Sequence, residues 1–319
     1  RKTAVAWFVG FHVAAVCAVV IISTNQATLI GCISPIFWGL SVSLVRTLSE
    51  TLGVGKGLAI NYLIALVFVF LLFGVPNLKA MPLKYYICGL GCAIGTSMTF
   101  AFSLGLAKDG TQTMEVGMIN YLWPTLTILF AVLFNGQKAK WWVGIGMLLA
   151  IYGIFVVLSG NLLIDFRAMW SHITSNPISY FLALWAAIFW AAYSNFTRAW
   201  AKGQNPTTLI FALDAIFFNA IWLLDLAPSY PWNTKGVLFA VGSALIMGAA
   251  YGMWTFGVQK GRIEIMSIMS YFTPVLSCIF ASFLIGAKLT HEFWVGVSIV
   301  VLGSFICWAA TREKHRSPN

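Results

Sequence analysis

Asn120-Tyr121-Leu122-Trp123-Pro124 interrupts one apolar run of this chain, and Ser270-Tyr271-Phe272-Thr273-Pro274 interrupts another 150 residues later. In each, a tyrosine precedes a proline by three positions. Proline has no N–H to donate and crowds the carbonyl four residues back, so the carbonyls of Asn120 and Ser270 lose their helix partners and a kink is expected at Pro124 and at Pro274. One such proline is ordinarily a packing feature, but two at matching places suggest a shared plan. At the same offset Leu126, Phe130, Ala131, Gly136, Lys138, Gly146 and Gly153 recur as Leu276, Phe280, Ala281, Gly286, Lys288, Gly296 and Gly303. At an offset of 152, Ile36-Phe37-Trp38 and Arg46 recur as Ile188-Phe189-Trp190 and Arg198. Ordered matches at one spacing mark an internal duplication.

Composition says what is duplicated. Of 319 residues, 60% are apolar, 15% aromatic and only 9% charged, and the mean hydropathy is +0.87. A water-soluble chain carries roughly 25% charged residues. The six cysteines (Cys17, Cys32, Cys88, Cys92, Cys278, Cys307) sit inside apolar runs and read as reduced thiols packed as small hydrophobes. Net charge is +10, but the Lys and Arg residues lie between apolar runs rather than on one basic face, so no nucleic-acid partner is expected.

A hydrocarbon core of about 30 Å is crossed by roughly 20 apolar residues. The chain divides into ten such runs: 28–45, 57–75, 85–107, 113–134, 141–159, 178–199, 206–226, 236–258, 263–286 and 292–310. The expected fold is an all-α polytopic membrane protein of ten transmembrane helices around a central cavity. Five helices belong to 27–160 and five to 177–311, and a basic cytoplasmic tail follows at 312–319. Five crossings is an odd number, so the second copy enters from the opposite face, giving a 5+5 inverted repeat about an axis in the membrane plane. Such halves can exchange conformations, which suits a transporter.

Orientation follows from the basic residues. Lys79, Lys84, Lys138, Lys140, Arg198, Lys202, Lys260, Arg262, Arg312, Lys314 and Arg316 fall on one side; Arg46, Lys56, Lys108, Arg167, Lys235 and Lys288 fall on the other. The richer side is cytoplasmic, which places both ends of the ten-helix unit there. Residues 1–26 form a hydrophobic segment of open status. Arg1 and Lys2 precede an apolar stretch broken only by His12, which reads equally as a signal peptide, an eleventh helix or an upstream-extended start.

The function candidates gather around the prolines. Trp38, Phe100, Tyr121, Trp123, Trp190, Tyr193, Tyr251, Trp254 and Tyr271 form a large aromatic set, with several near the middle of their runs. Mid-membrane Trp and Tyr need partners for their N–H and O–H groups, which a polar cavity supplies and lipid does not. Their rings would offer stacking faces to a planar substrate and a cation–π face to an ammonium. Taken singly, each is as often ordinary core. Asp214, near the middle of the seventh run, is the leading proton-site candidate, with Glu115 beside it. Glu115 and Glu264 are expected in first helical turns, where the helix dipole alone would account for a carboxylate. Gly91 and Gly95, and Gly248 and Gly252, have the spacing that lets helix backbones approach. His12, His172, His291 and His315 are scattered, Cys88 and Cys92 lack a second pair, and no glycine-rich phosphate loop follows a strand. No enzyme chemistry, metal or cofactor is expected.

The strings 115–124, 134–138 and 270–277, with Ile36-Phe37-Trp38 and Phe189-Trp190-Ala191-Ala192-Tyr193, resemble the drug/metabolite transporter superfamily (EamA type), and within it the aromatic amino-acid exporters of bacterial inner membranes. The resemblance runs over about 27–311. It implies a cavity built by the first, third, fourth, sixth, eighth and ninth runs, alternating access, and export of Phe, Tyr or Trp together with other hydrophobic metabolites or drugs. Carried over by position, the substrate-binding candidates are Trp38, Met98, Phe100, Asn120, Tyr121, Trp123, Trp190, Tyr251, Trp254 and Tyr271. Asn120 and the freed carbonyls would hold a zwitterion and the rings its side chain. Partners on this reading are the small-molecule substrate and the lipid bilayer, with a monomer sufficient. The competing expectation is a ligand- or lipid-binding membrane receptor or scaffold without net transport, although the short tail offers no sensing domain.

Overall fold

Ser23 opens the first helix with a capping box: its hydroxyl accepts from the Gln26 N–H, and the Gln26 side chain accepts from the Ser23 N–H at 2.9 Å. The computed structural model describes residues 23–311, apart from the side chains of Thr255, Val258, Gln259, Ile263, Glu264, Ser267 and Ile268. Expectations on Arg1, Lys2, His12, Cys17, the Glu264 side chain, Arg312, Lys314, His315 and Arg316 lie outside the described residues. The described residues form helices and no strand.

In chain order these are α1 (Thr24–Leu52), α2 (Val54–Phe73), α3 (Leu90–Leu106, entered through a π-helical turn Tyr85–Gly89), α4 (Gly110–Asn120), α5 (Trp123–Phe134) and α6 (Val143–Ser159). There follow α7 (Phe166–Ser175), α8 (Pro177–Trp200), α9 (Thr207–Leu223), α10 (Thr234–Lys260), α11 (Ile263–Ser270), α12 (Thr273–Leu284) and α13 (His291–Thr311). Side chains set the starts. Asp109 caps α4 through the Gln112 N–H at 2.8 Å, Asp165 caps α7 through the N–H groups of Arg167 and Ala168, and Asn233 caps α10 through Gly236.

Among the described residues seven stretches are long and apolar enough to cross a membrane: Thr24–Leu52, Val54–Phe73, Tyr85–Leu106, Gly110–Phe134, Pro177–Trp200, Thr234–Trp254 and His291–Thr311. Val143–Ser159, Thr207–Leu223 and Thr273–Leu284 are apolar but shorter. Leu63, Val67, Phe70, Leu148, Phe181, Leu238 and Leu245 point outward. A surface of that kind is untenable in water and ordinary against acyl chains, and the chain is a multi-pass membrane protein.

The helix packing is reciprocal. α1 packs on α10 and α12, and α8 packs on α3 and α5; α2 packs on α9, and α6 on α13. That last contact is the tightest. A Cβ on Gly303 would fall 2.5 Å from the Ala150 nitrogen and 2.6 Å from the Gly146 oxygen, and one on Gly153 would fall 2.7 Å from the Gly296 oxygen. Close backbone approach therefore occurs between α6 and α13, and α1 and α10 approach similarly where a Cβ on Gly257 would fall 2.8 Å from the Gly31 Cα. At the expected glycines, Gly95 faces the ring of Phe189, Gly248 and Gly252 face Phe68 and Phe73, and Gly91 has open space.

Two basic residues counted in a connection are buried within helices. α1 runs on past residue 45, so the Arg46 guanidinium reaches the Leu104 and Gly105 carbonyls at 3.0 and 3.2 Å, where the end of α3 leaves acceptors without helix donors, and it pairs with Glu50 at 2.8 Å. The Lys56 ammonium donates to the Tyr230 carbonyl and lies 5.0 Å from the centre of the Trp232 ring. The connection 160–177 contains a helix, α7, instead of being wholly irregular. Phe166 and Trp170 are exposed on it, while Met169 and Ile173 pack against the core.

Candidate functional site

Both proline segments interrupt the helix for only one turn, with Tyr121 and Leu122 keeping near-helical backbone angles (φ −68°, ψ 5° and φ −70°, ψ −15°). α4 stops at Asn120, Tyr121 and Leu122 form a turn, and α5 starts with Pro124 in its first turn, where a missing N–H costs nothing. α11, Tyr271-Phe272 and α12 with Pro274 repeat this form. The Tyr121 N–H closes on Gly117 at 3.1 Å and that of Leu122 on Ile119 at 3.1 Å, so the chain turns tightly and carries Asn120, Tyr121 and Trp123 to one wall.

That wall belongs to a cavity of about 140 Å³. α1 contributes Trp38, Ser41, Val42 and Val45; α2 contributes Tyr62; α3 contributes Thr96, Ser97, Phe100, Ala101 and Leu104. The α4–α5 break supplies Asn120, Tyr121 and Trp123, α8 supplies Trp190, α10 supplies Met247 and Tyr251, and α12 supplies Thr273. Its rings are linked. Trp123 meets Trp190 edge-on with centroids 6.2 Å apart, Trp190 meets Tyr251 at 6.2 Å, and Tyr251 meets Trp38 at 5.9 Å. A second arm runs from Tyr251 to Phe211 at 5.5 Å and from Phe211 to Tyr62 at 6.1 Å, and Tyr62 lies flat on Phe218 at 4.8 Å.

Polar groups are few and under-used. Asn120 Oδ1 and Thr273 Oγ1 are buried with no hydrogen-bond partner among the described residues. Ser41 and Thr96 turn their hydroxyls back to the Trp38 and Cys92 carbonyls. No Lys, Arg, Asp or Glu is among the lining residues. Such a wall offers planar apolar area plus a few free acceptors, which is the chemistry of a pocket for small aromatic molecules.

Of the ten residues expected to bind substrate, the structure brings seven to this cavity: Trp38, Phe100, Asn120, Tyr121, Trp123, Trp190 and Tyr251. Trp254 stands behind, its ring 5.1 Å from Trp38; Met98 packs against the core, and Tyr271 is buried away from the lining. Tyr62 was missed. Its only signal was Asn61-Tyr62, a polar pair inside an apolar run. Ser97 and Thr96 were also missed, because a hydroxyl in a membrane helix is commonly satisfied by the carbonyl four residues back.

The two expected proton-site carboxylates are differently placed. Glu115 is in the second turn of α4, not the first, because the helix starts at Gly110. Its Oε1 lies 2.9 Å from His172 Nδ1 on α7, and its Oε2 accepts from the Tyr180 hydroxyl on α8. Asp214, on α9, is 1% exposed, and its Oδ1 has no partner among the described residues.

Known proteins share this architecture. The EamA-like transporter family matches twice, over 25–159 and 177–309. The aromatic amino acid exporter YddG of Escherichia coli (strain K12) is 40% identical over 290 residues, covering 91% of this chain and 99% of its own. The protein of the same name from Salmonella typhimurium (strain 14028s / SGSC 2262) is 37% identical, covering 92% of this chain and 100% of its own. One solved structure, described only as a crystal structure of a protein, is 22% identical and superposes with a TM-score of 0.60 over 91% of this chain and all of its own, which speaks for the fold alone. With both halves matched and two relatives aligned from end to end, this chain belongs to the EamA-like transporter family.

Proposed function

We propose that this chain exports aromatic amino acids (Phe, Tyr and Trp), and other hydrophobic metabolites or drugs, from the cytoplasm across the bacterial inner membrane. The observation that carries the reading is the ring-lined, charge-free cavity at the break between α4 and α5. The names of the two aligned relatives point the same way. On this reading ten crossings form two halves, 27–160 and 177–311, of opposite orientation, with both ends of the unit cytoplasmic. Alternating access would follow from exchanging their conformations. Support comes from the reciprocal packing of α1 on α10 and α8 on α3 and from the matched breaks at Pro124 and Pro274. The substrate ring lies among Trp38, Phe100, Trp123, Trp190 and Tyr251, and its charged end meets Asn120 and the backbone freed by Pro124. Trp254, Met98 and Tyr271 act as supports. Of the two candidate proton sites, Glu115 is already engaged by His172 and Tyr180, which leaves Asp214 as the carboxylate with a free oxygen.

Proteoliposomes loaded with labelled phenylalanine test this. Release faster than from empty-lipid controls is expected, with the excess lost in Trp123→Ala and in Tyr121→Ala; equal release with and without protein removes the reading. Repeating the assay under two imposed pH gradients reports whether protons drive it.

A further inference from the structure

Arg46 follows Val45 and donates to the Leu104 carbonyl, and both Val45 and Leu104 line the cavity, so the guanidinium sits at the cavity's edge. Its bonds of 3.0 and 3.2 Å to the Leu104 and Gly105 carbonyls do more than cap α3. α1 packs with α10, α11 and α12, whereas α3 packs with α8, which also carries α4 and α5. Arg46 therefore bridges two sets of helices. The sets touch again at the same end, where the Thr111 hydroxyl donates to the Lys288 carbonyl at 3.4 Å and a Cβ on Gly110 would fall 2.7 Å from the Ile285 oxygen. At the opposite end, bonds of this kind join helices of one set instead. Thr28 on α1 accepts from the Arg262 N–H just before α11 at 2.8 Å, Asn135 after α5 donates to Asn195 on α8 at 2.7 Å, and Tyr85 before α3 meets Thr197 on α8 at 3.0 Å.

Arg46 has a counterpart in the second half. Arg198 follows Trp190 by the same spacing at which Arg46 follows Trp38, and it lies on α8, the first crossing of its half as α1 is of the other. It stands at the opposite end of the bundle, exposed, with no hydrogen bond or ion pair among the described residues. Exchanging the conformations of the halves puts α8 and α10 in the relation that α1 and α3 have here. The Arg198 guanidinium then comes to the last-turn carbonyls of α10, which lack helix donors as those of α3 do.

We propose that Arg46 and Arg198 are alternate latches: Arg46 on the end of α3 holds one face of the cavity shut in the conformation seen here, and Arg198 on the end of α10 holds the other face shut in the opposite one. The inference rests on the alternating access of the proposed function. Glu50, which pairs with Arg46 at 2.8 Å, has Lys202 in the equivalent place, so the second latch lacks an acidic partner and the conformation closed at Arg46 is the preferred one.

The test measures distances across both ends in the full chain, in lipid, with spin labels carried on a ketone-bearing unnatural residue so that the native cysteines stay in place. One pair replaces Lys108 and Lys288 at the Arg46 end, the other Ala199 and Arg262 at the Arg198 end. Arg46→Gln is expected to lengthen the first distance and shorten the second, changing the ratio of the two conformations roughly tenfold, as loss of a charge-assisted bond should. Arg198→Gln added to Arg46→Gln should bring both distances back. If Arg46→Gln fails to give an unchanged elution profile, Arg46→Lys, which keeps the charge but not the fork that spans two carbonyls, is read in the same way. Unchanged distances in the Arg46 variant overturn the first latch, and a double variant that stays where the single one was overturns the second. Distances that move as expected in a protein without phenylalanine flux in proteoliposomes would keep the latches and remove the exporter reading instead.

Discussion

Trp190 shares with Tyr251 the largest number of ring contacts in the cavity, meeting Trp123, Tyr193 and Tyr251 at centroid distances of 6.2, 5.2 and 6.2 Å. Each such pair is worth about 0.5–1.5 kcal/mol beyond the area it buries. Trp190→Ala removes three at once, and a fall in melting temperature together with roughly tenfold weaker phenylalanine binding is expected, the latter equivalent to about 1.4 kcal/mol. Trp190→Phe should retain most of both; calorimetry and ligand titration of the pair decide it. At this scale the sequence was informative for rings and silent for hydroxyls. A tryptophan in the middle of an apolar run is anomalous enough to notice, as Trp38, Trp123 and Trp190 were. Ser97 is not, because its membership in the wall depends on which face of α3 turns inward. Tyr271 shows the converse: its place in the repeat equals that of Tyr121, yet only Tyr121 lines the cavity.

Among the elements, the pair α6 and α13 is joined by glycines rather than by interdigitating side chains. Since a Cβ on Gly303 would meet backbone atoms of Ala150 and Gly146 at 2.5 and 2.6 Å, Gly303→Ala must push two helices apart. A loss of about 1–3 kcal/mol is expected from overpacking of this kind. Gly91→Ala, with nothing within 4 Å of its added methyl, should be neutral, and thermal unfolding of the two variants in detergent separates them. The sequence pointed to the wrong glycines for a physical reason. A spacing of four places two glycines on one face of one helix, but whether a backbone or a ring faces them depends on the neighbour: Phe189 fills the space at Gly95, and Phe68 that at Gly248. The residues that do make the contact, Gly146, Gly153, Gly296 and Gly303, were visible as repeat matches, and it was their spacing of seven that gave no alarm. The helix breaks were more legible. A tyrosine three residues before a proline, found twice, located them to within a residue, although a chain that simply bends and one that stops and restarts give the same pattern. α7 went unread because its start signal, Asp165 followed by Phe166, Met169 and Ile173 at helical spacing, lies in the most polar connection.

For the molecule as a whole, α7 joins the halves and is fastened to the first through Glu115–His172 and through Gln112, which donates to Ser175 at 3.2 Å. His172→Ala should loosen that clasp while leaving Tyr180 on Glu115. The pair is partly exposed at His172, so about 1 kcal/mol is at stake, which translates into roughly fivefold faster protease cleavage within 160–177. Glu115→Ala should cost more, since the buried Tyr180 hydroxyl would then be stranded at about 1–3 kcal/mol. Cleavage time courses on both variants check the order. The glycine seam has a different significance at this scale. Adding 150 to Gly146 and Gly153 yields Gly296 and Gly303, so the contact of Gly146 with Gly303 and that of Gly153 with Gly296 are images of each other. Swap the roles of the two halves and the seam returns unchanged: under the alternating access proposed above, it would act as an axle that favours neither end of the travel, and any resting bias would have to come from parts that lack a twin.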